Sequence, residues 1–125
     1  MSTTVNDSDF RSKISGVDMT SSQYMMVTLE TDDTVILATA ITDIIYGVVQ
    51  NAPNTGELAL IKVTGETKVV AAAVLVVDNF VGPSTAAKAQ VAVSTQYARG
   101  KVVAAAGADL DVAVIQLFDT AVALA

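Results

Sequence analysis

The sequence predicts an all-β domain, an antiparallel barrel or sandwich of about eight short strands. Three observations lead to this fold class. Runs rich in Val, Ile and Thr recur at intervals of about ten residues, turn residues separate them, and no helical period is sustained. A chain of 125 residues can bury one self-sufficient core, so we expect a single domain.

The first predicted strands span residues 24–30, 34–40, 44–49 and 57–63. Residues 50–56 form the clearest loop, because Pro53 fixes φ there and Asn and Gly supply turn geometry. At Gly65 two alternatives remain open. The glycine could close a two-residue hairpin, or it could kink one strand around a barrel corner.

The second half of the chain is less regular. Residues 68–77 are strand-like, and residues 78–83 are expected to break that strand. Within residues 84–96, Ser84 could cap a short helix, whereas the alternation of Val91 and Val93 favours a strand. Arg99, Gly100 and Lys101 are predicted to form a solvated basic turn. Strands are expected again over residues 102–106 and 110–118.

Residues 1–23 differ from the rest, since they are rich in Ser, Thr and Asp. A segment this polar cannot bury enough surface to offset the entropy of ordering it. We therefore predict a flexible N-terminal arm over residues 1–23 and a single β-domain over residues 24–125. The arm is either a frayed terminus or a segment that orders on a partner, and removing residues 1–20 is expected to leave the domain folded.

Composition narrows the possible functions. The chain has no His, Cys or Trp, which excludes disulfides, thiolate nucleophiles, imidazole metal ligands and Ser–His–Asp triads. The net charge of −6 argues against nucleic acid as a partner. The polar N-terminus does not match a signal peptide, and no uncharged run is long enough to span a membrane. We therefore expect synthesis in a cytoplasm, with neither nucleic acid nor membrane as a partner.

Two features remain as candidate chemistry or contact sites. Asp109 and Asp111 would share one face of a strand, as a calcium site or a carboxylate hydrolase would need, although an acidic turn is the interpretation we favour. We expect no enzyme activity, no cofactor and no metal. The apolar fraction of 52% is high enough to suggest a subunit interface, or simply a well-filled core.

Two segments carry a resemblance to a known family. Residues 35–65 contain Gly47 and then the turn Gln50, Asn51, Ala52, Pro53, Asn54, Thr55, Gly56, Glu57. Residues 98–117 begin Ala98, Arg99, Gly100, continue into an alanine run, and enter the last strand through Gly107, Ala108 and Asp109. Over residues 24–118 the chain resembles the small head-decoration, or capsid cement, proteins of tailed bacteriophages.

The resemblance implies a structural role. It implies a compact β-barrel or β-tulip that binds the outer surface of the mature capsid and stabilises it, with the major capsid protein and further copies of itself as partners, preferably as a homotrimer. Such a protein is made in the host cytoplasm and ends on the capsid exterior. A tail or fibre module of a phage virion is the alternative.

The resemblance also implies that the N-terminal arm contacts the major capsid protein by adding a strand to the lattice. Main-chain hydrogen bonds would supply much of the affinity in such a contact. The expected anchors are the large apolar side chains of the arm, with one cation beside them: Val5, Phe10, Arg11, Ile14 and Val17.

Overall fold

The computed structural model describes residues 9–93 and 96–124, except for the side chains of residues 119–121. This part of the chain contains no helix, and hence no helical segment able to cross a membrane. It contains ten strands, and the all-β prediction is confirmed. The strands are β1 (Phe10–Ser15), β2 (Met26–Leu29), β3 (Thr34–Leu37), β4 (Gly47–Val49), β5 (Leu58–Lys62), β6 (Gly65–Val70), β7 (Phe80–Pro83), β8 (Ala89–Val91), β9 (Tyr97–Ala104) and β10 (Val112–Ala123).

The first five strands form a closed barrel in the order β1-β3-β2-β4-β5. Strands β1 and β3 are parallel, and the other four pairs in the barrel are antiparallel. The predicted loop over residues 50–56 is confirmed, with Gly56 at φ 85°. The amide of Gly56 donates to the carbonyl oxygen of Ser15, so this loop also fixes the end of β1.

Strand β1 corrects the predicted arm. The flexible arm over residues 1–23 is wrong for Phe10–Ser15, because this strand pairs with β3 on one edge and with β5 on the other. Met19, in the following loop, is fully buried in the barrel. The folded domain therefore includes residues well before the predicted boundary at residue 24. The flexible arm was predicted because residues 1–23 are polar. Hydrogen bonds to the neighbouring strands β3 and β5 nevertheless order β1, and such bonds do not require an apolar sequence.

The last five strands form a second sheet in the order β6-β10-β9-β7-β8, in which every pair is antiparallel. A parallel bridge between Ala71 and Ala89 joins its two edges. The chain enters this sheet at Gly65, where φ is 83°. Since β5 and β6 lie in different sheets, the hairpin alternative is wrong and the glycine kink is the observed arrangement.

Two hydrophobic clusters stabilise the molecule. One fills the barrel and includes Val27, Val49 and Ile61, whereas the other lies between the barrel and the second sheet. Met26 and Val48 belong to the second cluster although their neighbours Val27 and Val49 belong to the first. Strand β4 and the first two residues of β2 are therefore buried on both faces, which is why their sequences show so little alternation.

The second sheet differs from prediction in four places. The strand expected over residues 68–77 ends at Val70, with only isolated bridges at Ala71 and Leu75 beyond it. The expected break over residues 78–83 contains β7, and residues 84–96 contain β8 rather than a helix in their described part. The expected turn at Arg99, Gly100 and Lys101 is the middle of β9. A Cβ atom on Gly100 would lie 2.7 Å from the carbonyl oxygen of Gln116, so this glycine permits close approach of β10 rather than a turn.

Arg99 joins the two halves of the molecule. Its side chain is buried, at 4% exposure, and its Nε donates to the carbonyl oxygen of Ile45 at 2.9 Å. Its Nη2 donates to the carbonyl oxygens of Tyr46 at 3.0 Å and Val63 at 2.7 Å, and its Nη1 donates to that of Phe118. The carbonyl groups of Ile45, Tyr46 and Val63 lie next to the ends of barrel strands β4 and β5, where no neighbouring strand supplies a donor. Arg99, from the second sheet, donates hydrogen bonds to all three.

We predict that Arg99→Lys destabilises the fold strongly. A lysine ammonium is a single point of charge on a flexible stem and cannot span four carbonyl oxygens as the planar guanidinium does. Leaving buried carbonyl groups without donors costs roughly 1–3 kcal/mol each, so the free energy of unfolding should fall by about 3 kcal/mol. Urea denaturation measures this change.

The matched control is Lys101→Met, two residues along the same strand. The ammonium of Lys101 lies 3.6 Å from Asp78 in an exposed ion pair, which should contribute less than about 1 kcal/mol. Equal stability of Arg99→Lys and the unaltered protein would contradict the assigned role of Arg99.

We also predict that deletion of residues 1–20 unfolds the barrel. It would remove β1, leave the facing edges of β3 and β5 unpaired, and remove the buried side chain of Met19. The shortened chain should lose cooperative thermal unfolding followed by circular dichroism. An unchanged transition would show that the segment is dispensable, as the sequence alone had suggested.

Candidate docking surface

The outer surface of the barrel carries apolar side chains where β1 and β5 pair. In this antiparallel pair, Phe10 lies opposite Lys62, Ser12 opposite Leu60, and Ile14 opposite Leu58. Directly opposed residues point to the same side of a sheet. The intervening residues of β5, Ala59 and Ile61, are buried inside the barrel, so these three pairs must face outward.

We call this surface the β1–β5 face, and define it by Phe10, Ser12, Ile14, Leu58, Leu60 and Lys62. Leu58 is 65% exposed, and its apolar neighbours Phe10, Ile14 and Leu60 are each about two-fifths exposed. The second sheet covers another side of the barrel, where Met26 and Val48 are fully buried. Strand β5 is thus apolar on both faces, although only its inner face contributes to a core.

The backbone beneath the two leucines is held rigidly. Strand β4 ends at Val49, and the side chain of Asn51 continues the pairing along β5 in its place. Its Nδ2 donates to the carbonyl oxygen of Leu58 at 3.0 Å, and its Oδ1 accepts from the amide of Leu60 at 3.0 Å. The side-chain amide of Asn51 thus makes the two hydrogen bonds that the backbone of a neighbouring strand would make. These bonds order the backbone of β5 at the two exposed leucines.

Charged groups border the face at its Phe10 end. The ammonium of Lys62 lies 4.4 Å from the centre of the Phe10 ring and 3.8 Å from Oδ2 of Asp9. The hydroxyl of Thr64 donates to Oδ1 of Asp9 at 2.7 Å. These contacts orient the aromatic ring and give the apolar face a polar rim, the composition usual for a protein–protein interface.

The predicted contact residues divide between this face and other places. Phe10 and Ile14 lie on it. Val17 is half-buried against the barrel core, so it contributes to packing instead. Arg11 lies opposite Ile61, on the other side of β1, and its Nη1 donates to the carbonyl oxygen of Phe10 at 2.8 Å. Val5 lies outside the described residues.

Sequence reasoning missed Leu58 and Leu60. The alternation that placed Ile61 and Val63 inside also placed Lys62 and Thr64 outside, and extending it backwards puts both leucines on the outer side. Two leucines at positions that the strand period assigns to solvent were therefore the available signal.

The acidic residues considered as a catalytic or calcium pair lie in a turn. Oδ1 of Asp109 is 2.6 Å from the ammonium of Lys88, and Oδ2 of Asp111 accepts from the amide of Gly107 at 3.1 Å. Leu110 between them has φ 72°, so Asp109 and Asp111 are not successive outward positions of one strand. Among the described residues, no three acidic side chains come close enough to hold a metal ion.

One carboxyl group near the end of β1 has a shifted pKa. Oδ1 of Asp18 accepts from the amide of Thr20 at 2.9 Å and from its hydroxyl at 2.8 Å. The backbone hydrogen bond, and then the hydroxyl hydrogen bond, lower the pKa of Asp18 below its ordinary value. Asp18 therefore stays charged to lower pH than a free aspartate and holds the loop after β1 in its turn.

Comparisons with known proteins identify the fold. Neither the models of known protein families nor the curated proteins give a match. Among solved structures, the chain is similar to the N base of the head fiber protein gp8.5 of bacteriophage phi29, with a TM-score of 0.69 and 13% sequence identity. The similarity covers 90% of this chain and 96% of the phage chain. At this identity the likeness establishes a shared all-β fold over nearly the whole of both chains.

Proposed function

We propose that this protein is a structural component of a phage virion that binds the outer surface of the mature capsid and stabilises it. The β1–β5 face, with Phe10, Ile14, Leu58 and Leu60, contacts the major capsid protein. The observation that carries the proposal is this exposed apolar face on a rigid barrel, which folding alone does not require.

Two independent likenesses support a role on the phage head. The turn and strand sequences over residues 24–118 resemble those of head-decoration proteins. The fold is similar to the base of a phage head fiber protein over 90% of this chain. Both kinds of protein have structural rather than catalytic roles, which agrees with the local hydrogen bonds and ion pair that occupy Asp109 and Asp111.

The contact differs from the one first expected. Phe10–Ser15 is not a free arm, since Phe10–Ile14 pair with β5 along one edge and Ile14 and Ser15 pair with β3 along the other. Side chains on the outer surface of the barrel must supply the affinity instead. Apolar side chains with a charged rim suit this role, because the centre of the contact excludes water and the rim sets its orientation.

Binding of this kind would stabilise the capsid by mass action. A protein that binds the mature form of a shell, and not its unexpanded form, stabilises the mature form by RT ln(1 + [L]/Kd) at each site. Many equivalent sites on one shell would multiply the effect. No catalytic step is needed for this function.

A fibre base is the second candidate, and the similarity to the head fiber base favours it. In that role the same β1–β5 face would hold the domain on the head, while the chain or a partner would carry a projecting fibre. A tail module is distinguished from both by its binding to tails rather than heads.

We predict that Leu58→Asp abolishes capsid binding without unfolding the protein. The substitution puts a charge on the apolar face, opposite Ile14, on a side chain that is already 65% exposed. Burying an unpaired carboxylate in an interface should weaken binding about 100-fold or more. Co-sedimentation with mature heads of the phage that encodes this chain measures the effect, and thermal unfolding checks the fold.

Val93→Asp is the matched control, because Val93 is 56% exposed and lies in the second sheet's half of the chain. It should bind like the unaltered protein. Undiminished binding of Leu58→Asp would exclude the β1–β5 face as the contact. Failure of the unaltered protein to bind mature heads, together with binding to tails, would favour the tail module.

A further inference from the structure

The first residue of β1, Phe10, lies unusually close to the side chain across from it. It is paired with Lys62 of β5. The amide of Val63 donates to the carbonyl oxygen of Asp9 at 2.8 Å, so backbone hydrogen bonds flank this pair rather than join it. Side chains of such a pair lie closer together than those of a hydrogen-bonded pair. The ammonium of Lys62 accordingly lies over the Phe10 ring, 4.4 Å from its centre.

A carboxylate holds the same ammonium from another side. Oδ2 of Asp9 lies 3.8 Å from the ammonium of Lys62, and Oδ1 accepts from the hydroxyl of Thr64 at 2.7 Å. A Cβ atom on Gly65 would lie 3.2 Å from Oδ2 of Asp9, so the glycine leaves room for this carboxylate. Contacts therefore run from Thr64 through Asp9 and Lys62 to the ring. We call Asp9, Lys62 and Thr64 the Phe10 brace.

The two charges of the brace act within the domain. The side chain of Lys62 is only 16% exposed, although that of Asp9 is 54% exposed. The two charges are opposite in sign and already in contact, so neither needs a charged group from a partner. The Phe10 ring, at 38% exposure, is the part of this arrangement that can enter an apolar pocket.

We propose that Lys62 is a positioning residue, which together with Asp9 and Thr64 holds the Phe10 ring as a preformed anchor for an apolar pocket on the partner. The inference rests on the proposed contact through the β1–β5 face. Immobilising a side chain only when a partner binds weakens affinity by about two- to tenfold. The brace orders the ring when the protein folds, so binding does not carry that cost.

The rival role for Lys62 is a direct ion pair with an acidic group of the partner. The low exposure of its side chain and its existing contacts with Asp9 and Phe10 favour the brace. The two roles differ in one measurable respect. A positioning residue acts through the ring and has no effect once the ring is gone, whereas a direct ion pair is independent of the ring.

Nuclear magnetic resonance of the full-length protein tests the brace without a partner. The ring current of Phe10 should shift the ε-methylene protons of Lys62 upfield, and Phe10→Leu should abolish this shift. Carbon relaxation should show a more mobile Phe10 ring in Lys62→Met. Ordinary ε-methylene shifts that Phe10→Leu leaves unchanged would overturn the proposal.

Co-sedimentation with mature heads of the phage that encodes this chain tests the effect on binding. Lys62→Met keeps the apolar stem, loses the ammonium, and should weaken binding about two- to tenfold. Lys62→Arg should retain most of the affinity, because a guanidinium also stacks on an aromatic ring.

Lys101→Met is the matched control. It removes the same charge from an exposed pair with Asp78, 3.6 Å away on the second sheet, and should bind like the unaltered protein. Thermal unfolding of each variant checks the fold. Unchanged binding of Lys62→Met, or an equal loss in Lys101→Met, would overturn the positioning role.

A double-mutant cycle separates this inference from the proposed function. Phe10→Leu should weaken binding, and Lys62→Met should cause no further loss in that background. A further loss would mean that the ammonium contacts the partner directly, which overturns the positioning role. Undiminished binding of both Phe10→Leu and Leu58→Asp would instead contradict the β1–β5 face as the contact, and the positioning role with it.

Discussion

The pairing of β1 on both of its edges is the constraint on which the molecule depends. It closes the barrel between β3 and β5, and closure allows Val27, Val49 and Ile61 to pack together in the interior. It also holds Phe10–Ser15 in the barrel, so the outer side chains of β1 and β5 form a surface on this side that a partner could contact. A strand that looks like a polar tail in sequence thus builds both a core and a surface.

Arg99 stabilises the junction between the barrel and the second sheet. The hydrophobic cluster between the two halves includes Met26 and Val48 from the barrel and Val69 and Ile115 from the sheet. Strands that end at such a junction leave carbonyl groups without partners, and burying those groups would be costly. The guanidinium of Arg99 satisfies three such carbonyl groups at the ends of barrel strands, and that of Phe118 within β10, so it links the two halves.

The sequence predicted the strands well where turn residues and periodicity agree. The loop over residues 50–56 and the strands on either side of it, β4 and β5, follow directly from Pro53, Gly56 and the β-branched runs. It failed where tertiary contact overrides local composition. The polarity of β1 concealed a strand bonded on both edges, and the two charges flanking Gly100 suggested a turn where close packing against β10 requires glycine.

The sequence predicted only two of the four apolar residues of the β1–β5 face, for a related reason. Phe10 and Ile14 were identified as large apolar residues in a polar segment. Their place beside Leu58 and Leu60 depends on the pairing of β1 with β5, which are far apart in the sequence. No local pattern encodes which strands become neighbours. The exposed leucines did violate the strand period, and such violations are where a sequence indicates that a surface is built for a partner.

A cryo-electron microscopy reconstruction of mature heads carrying this protein would show which surface of the domain contacts the shell. We expect the major capsid protein to cover Phe10, Ile14, Leu58 and Leu60, with the second sheet facing away from the shell. A reconstruction in which these four side chains face solvent while another surface of the domain rests on the shell would contradict it.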